Sequence, residues 1–227
     1  MNMDLSLQLG GIVLFHGVSP EKIKTLAAQA TFKKFKPGEL VIGEADSIRS
    51  FYVVLTGQLK LYRSSAEGKE QTLQLLGPGD PFGLCTAFAT DSFPASAMAI
   101  MESSVMLIPG TVMETMARQE PAILFNIIQI LSQRLKDSMA LIEALALKEL
   151  PRRLASFLMH DLAGNRSDQN TVALTISQRE LAKILGATPE ALSRTLRKMA
   201  NDGILSTSGR TVAILDRKAL AQLAEGE

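Results

Sequence analysis

The segment Pro189 to Asn201, PEALSRTLRKMAN, spaces Glu190, Ser193, Arg194, Arg197 and Lys198 by three, four and single steps. On a helix that spacing collects them on one side, while Leu192, Leu196 and Met199 take the other. The exposed types suit the edges and backbone of duplex DNA. An arginine at 194 can donate two hydrogen bonds to guanine O6 and N7, a glutamate at 190 can accept from a cytosine N4 amine, and Ser193 is short enough to admit the backbone or touch a thymine methyl. Thr188, Arg197 and Lys198 would hold phosphates. The competing reading is an amphipathic helical hairpin whose charged face is merely solvated.

The residues just upstream supply what such a helix needs. Ser177 can cap a first helix carrying Leu181, Ile184 and Leu185, Gly186 can end it in a left-handed conformation, and Ala187 completes the turn. Thr188 then caps the second helix, with Pro189 at its first position and Glu190 in its first turn. Asn201-Asp202-Gly203 closes it. The pattern predicts a helix-turn-helix with its second helix in the major groove. The expected DNA-contacting set is Ser177, Thr188, Pro189, Glu190, Ser193, Arg194, Arg197 and Lys198.

Little else in the chain has the makings of chemistry. His16 and His160 lie far apart, no zinc-ligand spacing occurs, and the single cysteine, Cys85, has no sequence-evident base. No enzyme is expected. One cysteine also excludes an intramolecular disulfide and a four-cysteine iron–sulfur cluster within the chain. Cys85 can serve as a thiolate ligand to iron or pack as a small apolar residue, and the methionines at 98, 101 and 106 read as flexible packing.

The chain has 227 residues, 46% of them hydrophobic, enough for one or two cores. Twelve basic against 14 acidic residues precede Lys148, a net of −2; from Lys148 onward 12 basic stand against 9 acidic, a net of +3. The C-terminal part is the one suited to an anion. There is neither a leader-like N-terminus nor a run of eighteen apolar residues, so a soluble, cytoplasmic protein without a membrane partner is expected.

In chain order, Ser19 caps and Pro20 opens a helix with Ile23, Leu26 and Ala27 on one face. From Thr31 to Ile108 the period becomes two, with strands at 39–42, 51–55, 58–62, 71–76 and 105–108 and corner glycines at 38, 57, 68, 77 and 79. Short strands with regular turns predict a small antiparallel barrel or roll. A long helix follows over 121–147, with Leu124, Ile128, Leu131, Leu135, Ile142 and Leu145 at spacings of three, four and seven and Ser138 in an expected apolar slot. Pairing with its twin in a homodimer would make Ile128, Leu131, Leu135 and Ile142 interface residues; burial within one chain is the alternative. Pro151 opens a new helix over 152–162, the segment 164–170 is a polar loop, and 172–175 is a short strand. A hairpin over 204–215 turning at Ser208-Gly209 reads as a two-stranded wing.

The fold class is therefore α+β: an N-terminal antiparallel β-roll sensor domain with a dimerisation helix (1–147), then a C-terminal winged helix-turn-helix domain (148–227). In this order the elements resemble the CRP/FNR family of bacterial transcription regulators over nearly the whole chain. The resemblance rests on Gly57-Gln-Leu-Lys-Leu, Gly68-Lys-Glu, Gly77-Pro-Gly-Asp-Pro-Phe-Gly83, Pro189-Glu190-Ala-Leu-Ser193-Arg194 and the closing strand Ile214-Leu-Asp216-Arg217. It implies a homodimer on an inverted-repeat promoter site, with double-stranded DNA and RNA polymerase as partners. Members that bind cyclic nucleotide have Phe-Gly-Glu and a later Arg-Ser/Thr-Ala. Here the stretches read Phe82-Gly83-Leu84 and Ala95-Ser96-Ala97, so the acid for a ribose and the arginine for the phosphate are missing and cyclic AMP is set aside. The iron–sulfur branch shares Glu190, Ser193 and Arg194, but its cysteine cluster is absent. What the resemblance leaves is haem carrying a gas such as nitric oxide, or a small organic effector, between the roll and the long helix, turning the DNA-binding domain about Leu147 to Pro151. Phe82, Leu84, Cys85 and Ser96 are the expected effector pocket. A sensor whose C-terminal domain binds protein in place of DNA is the alternative from another class.

Overall fold

The computed structural model describes residues 9–84, 92–164 and 170–225. The chain divides into two compact units, Met1–Asp137 and Ser138–Glu227. In the first unit, α1 (Pro20–Ala28) precedes strands β1 (Thr31–Phe35), β2 (Leu40–Ile42), β3 (Ser50–Thr56), β4 (Leu59–Ser64), β5 (Glu70–Leu76), β6 (Pro81–Phe82), β7 (Ser96–Ala99) and β8 (Ser103–Pro109). Helix α2 (Gly110–Gln119) follows, then α3 (Pro121–Leu147), which ends in the second unit. The strands make two four-stranded antiparallel sheets, β1-β8-β3-β6 and β2-β7-β4-β5, the expected roll.

The run Phe51-Tyr-Val-Val-Leu is apolar throughout because β3 is covered on both faces. Phe51, Val53 and Leu55 meet the helices, packing with Ile23 and Leu26 of α1, Met113 of α2, and Ile123 and Ile127 of α3. Tyr52 and Val54 face the roll interior with Leu59, Leu76, Phe82 and Ala97. β8 is split the same way, Met106 and Ile108 toward the helices and Val105 toward the roll. Each large side chain so buried contributes about 1.5–3 kcal/mol. α1 starts as expected: Ser19 accepts the Lys22 N–H at 3.4 Å and Pro20 occupies the first turn.

The corners correct one expectation. Gly38, Gly57, Gly68 and Gly79 have positive φ, but Gly77 does not: its N–H donates to Asp80 Oδ2 at 2.7 Å, so a carboxylate closes that turn. At Gly57 (φ +82°) a Cβ would lie 2.3 Å from the Glu102 carbonyl oxygen, and at Gly83 (φ +82°) 2.8 Å from the Ser50 carbonyl oxygen. Only glycine fits either place.

The second unit contains the end of α3, α4 (Leu150–Gly164), β9 (Thr171–Ala173), α5 (Gln178–Ile184), α6 (Pro189–Asn201), β10 (Leu205–Ser208), β11 (Thr211–Ile214) and α7 (Arg217–Glu225). Two details of the sequence reading change. Ser208 pairs with Thr211, so the hairpin turns at Gly209-Arg210, one residue later than expected, with the positive φ of 59° at Gly209. The wing is also three-stranded, because β9 pairs with β11. The strand in Ile214-Leu-Asp216-Arg217 stops at Ile214; Asp216 Oδ1 accepts the Ala219 N–H at 2.9 Å and caps α7. Arg152 Nε and Ser156 Oγ of α4 reach the Ala224 carbonyl at 3.2 and 3.4 Å, satisfying an acceptor at the far end of α7.

Candidate nucleic-acid interface

The turn is built from local hydrogen bonds of the expected kind. Ser177 Oγ accepts the Glu180 N–H at 3.2 Å and begins α5, whose Leu181 and Ala182 are buried. Gly186, at φ 60°, reverses the chain, and the Ala187 N–H closes back onto the Ala182 carbonyl at 2.9 Å. Thr188 Oγ1 then accepts the Ala191 N–H at 3.2 Å, with Pro189 in the first turn of α6. Leu192, Leu196 and Met199 are buried against the unit, which fixes the rotation of α6 about its axis.

That rotation exposes Thr188, Pro189, Glu190, Arg194, Arg197 and Lys198 and leaves Ser193 half-buried. The Glu190 carboxyl is held below the usual carboxylate range, first by its own backbone N–H, then by the Thr188 hydroxyl, with Arg194 and Arg179 adding attraction. It is an ionised acceptor at the N-terminal end of α6, beside a guanidinium. Ser177, half-buried, has its hydroxyl committed to the cap. Two exposed cations escaped the sequence reading: Arg179 in the first turn of α5 and Arg210 at the wing tip. Arg179 was legible as the second residue after the Ser177 cap. Arg210 depended on placing the hairpin turn one residue later.

In the first unit, the described residues expected to hold an effector, Phe82, Leu84 and Ser96, lie in different surroundings. The Phe82 ring stacks on Tyr52 with centroids 4.8 Å apart, and Phe93 meets Tyr52 edge-on at 5.9 Å, so the roll interior is filled here. Burial raises the Tyr52 hydroxyl pKa, and a hydrogen bond with Ser50 opposes that. Leu84 belongs to the helix-facing core instead. Ser96 Oγ accepts the Glu44 N–H at 2.9 Å, tying β7 to the loop after β2. Cys85 lies outside the described residues. His16 is exposed, its carbonyl held by Asn126 Nδ2 at 2.9 Å. A cavity of about 800 Å3 does lie between the roll and α3, but other residues line it, among them Gly79, Asp80, Pro81, Gln129 and Arg134.

Around the apolar cluster of Tyr52, Val54, Leu59, Leu76, Phe82 and Ala97, the strands also bury Lys60, which pairs with Glu70 at 3.0 Å, and Thr72. Among the described residues no cluster of three or more His, Cys, Asp or Glu is arranged to hold a metal ion, and no helix is long and apolar enough to cross a membrane.

On α3, Leu124, Ile128, Leu131, Leu135, Met139 and Ile142 are exposed along one side, while Ile123 and Ile127 on the other are buried. The apolar stripe continues through Met139, next to Ser138.

Comparison with known proteins places both units. Residues 32–120 match the family model described as cyclic nucleotide-binding domain, and residues 152–223 match the one described as Crp-like helix-turn-helix domain. The CRP-like cAMP-activated global transcriptional regulator of Mycobacterium tuberculosis (strain CDC 1551 / Oshkosh) is 28% identical over 98% of this chain and 100% of its own. The fumarate and nitrate reduction regulatory protein of Yersinia pestis is 29% identical over 85% of this chain and 78% of its own. The solved structure of FixK2 from Bradyrhizobium japonicum superposes with a TM-score of 0.75 at 28% identity, covering 86% of this chain and 96% of that one. With both domains in this order and relatives alignable over most of its length, the chain belongs to the CRP/FNR family of transcription regulators.

Proposed function

We propose that this regulator acts as a homodimer on an inverted-repeat promoter site, reads each half through α6, and is switched by an effector in the sensor domain that is not a cyclic nucleotide. The observation that carries the reading is the face of α6: Glu190, Arg194, Arg197 and Lys198 exposed at helical spacing while Leu192, Leu196 and Met199 lock the other side into the unit. Arg194 donates to a guanine, Glu190 accepts from a cytosine amine, and Ser193 lies between them. Thr188, Arg197 and Lys198 hold phosphates, with Ser177 and Pro189 setting the entry of the two helices. The exposed stripe through Ile128, Leu131, Leu135 and Ile142 is the seam of the homodimer, and two-fold symmetry sets the half-sites about one DNA turn, roughly 34 Å, apart. RNA polymerase is the partner that a promoter-bound regulator acts on.

The effector is a ligand with differential affinity for two states of the chain; driving a population from 1% to 99% active takes about 5.5 kcal/mol of such difference. The test of the DNA reading is anisotropy titration of a promoter duplex at two salt concentrations. Arg194→Ala should cost about 1 to 3 kcal/mol at one base position, while Arg197→Ala should weaken every sequence alike and flatten the salt dependence. Equal loss on cognate and scrambled DNA for Arg194→Ala overturns the assignment, and no DNA binding at all returns the C-terminal domain to protein contacts. Haem titration with nitric oxide checks the gas-sensing version: a Soret shift at stoichiometric haem and nitric-oxide-dependent DNA binding would establish it, and indifference to both leaves an organic effector.

A further inference from the structure

Another cavity, of about 350 Å3, lies wholly within the second unit, along one flank of α6. Arg194, Thr195, Lys198, Met199 and Asp202 recur at helical spacing and form that flank, which runs between the buried side of α6 and the side proposed to meet DNA. The facing wall is aliphatic: Leu150 and Pro151 from the start of α4, Ile204 after α6, and Leu223 of α7. Hydrogen bonds fix this wall, so the cavity is preformed. Arg152 Nε of α4 donates to the Ala224 carbonyl at 3.2 Å, one residue past Leu223, and the Ile204 carbonyl accepts the Leu215 and Asp216 N–H groups at 2.9 and 3.1 Å. Charge is placed unevenly along the flank. Arg194 and Lys198 stand one turn apart and Asp202 follows a turn later, about 12 Å from Arg194 along the axis, so an anionic head is favoured at the Arg194 end and repelled at the other. Outside the lining, Glu190 also attracts Arg194, but its carboxyl is engaged first by its own backbone N–H and the Thr188 hydroxyl.

We infer that this cavity binds an amphiphilic carboxylate, its hydrocarbon chain against Leu150, Ile204 and Leu223 and its head on Arg194 and Lys198, and that the bound acid excludes DNA. A guanidinium fork can give a carboxylate two parallel N–H bonds, and the aliphatic wall takes the chain out of water. Exclusion follows from the same fork: Arg194 cannot serve a guanine and a carboxylate at once. The inference rests on the proposed DNA role of α6. It places a control of DNA reading inside the second unit, separate from any effector held by the first.

The test uses the full chain with octanoate as probe, octanamide as its neutral counterpart and acetate as the carboxylate without the chain. Calorimetry in the absence of DNA should show octanoate binding at least fivefold more tightly than octanamide, and no binding of acetate. Arg194→Gln should erase the preference for octanoate with an unchanged melting temperature. Leu223→Phe fills the cavity from α7, away from the DNA-contacting set, and should weaken octanoate at least tenfold while DNA affinity without octanoate stays the same; Leu150→Phe, filling it from α4, should do likewise. In anisotropy titration of the promoter duplex at constant ionic strength, octanoate should weaken binding by the unsubstituted protein and leave the Leu223→Phe protein unaffected. Equal binding of octanoate and octanamide, octanoate binding that survives both filling substitutions, or undiminished DNA affinity at saturating octanoate would each overturn the inference. Octanoate binding that needs Arg194 and an open cavity, in a chain that binds no promoter DNA, upholds the carboxylate site and removes the DNA reading alone.

Discussion

Leu135→Asp is the substitution that loads the proposed dimer most heavily while sparing the fold of the single chain. Leu135 is 62% exposed, and its neighbours on the stripe run from 43% at Leu124 to 66% at Ile142. Full burial of such a side chain is worth about 1.5–3 kcal/mol, so the half that remains exposed is worth about 1 kcal/mol per residue. With Phe125 and Met139 included, a helix pair gains roughly 14 kcal/mol from the stripe, and association costs about 4–15 kcal/mol of lost freedom. The two are of one size, which makes the seam sensitive to single changes. Two-fold symmetry then applies each change twice. Leu135→Asp removes about 1 kcal/mol of apolar burial per chain and leaves an unpaired carboxylate at each seam, costing several kcal/mol apiece. A total of about 6 kcal/mol or more corresponds to at least 10,000-fold in dissociation constant. Sedimentation velocity at micromolar protein should show monomers with helix content unchanged by circular dichroism. A sedimentation coefficient equal to that of the unsubstituted protein would mean that the seam is not on this face of α3.

The other expectations follow from local geometry. Thr188→Ala removes the acceptor for the Ala191 N–H and should lower stability by about 1 kcal/mol in urea titration, whereas Thr188→Ser should restore it. Glu190 has a folded-state pKa below its unfolded value, so its favourable contribution is present above the ordinary carboxylate range and disappears as pH falls through the depressed value; Glu190→Gln should flatten the acid limb of the stability profile, and an unchanged limb would contradict the assignment. Gly83→Ala forces a Cβ into the Ser50 carbonyl and the Tyr52 ring at 2.8 Å and adds positive-φ strain, so a loss of about 2–4 kcal/mol is expected by thermal unfolding, against under 1 kcal/mol for Gly68→Ala beyond the φ penalty, where the Cβ meets open space.

Where physics is local, the sequence was sufficient. Ser177, Gly186, Thr188 and Pro189 each act on backbone groups within four residues, and all of them do in the structure what their types and order imply. The long helix over 121–147 was equally plain, because 27 residues without an internal proline or glycine leave nothing to stop it. Elements whose pattern depends on distant partners were harder. β1, Thr31–Phe35, is an exposed edge strand with lysines at 33 and 34, a composition that protects an edge and blurs alternation. α2 was overlooked because its apolar residues, Met113, Met116 and Ala117, become a face only against the core that β3 and β8 present. Lys60 is nearly fully buried, paired with Glu70 at 3.0 Å and lying over the Tyr62 ring at 4.8 Å, and no local signal marks such a lysine.

The first unit shows why a fold match and a ligand are separate questions. The positions that make a roll are those where backbone has nowhere else to go: Gly57 against the Glu102 carbonyl, Gly83 against the Ser50 carbonyl, and the turn that Asp80 closes on Gly77. All are present within residues 32–120, the stretch that matches the cyclic nucleotide-binding model. Side chains that face a ligand are freer to vary, and at the places where the resemblance expects nucleotide contacts this chain has Leu84, Ser96 and small alanines. The buried Lys60 of β4 is itself paired with Glu70 at 3.0 Å and lies over the Tyr62 ring, so a backbone that matches the family model does not name the ligand.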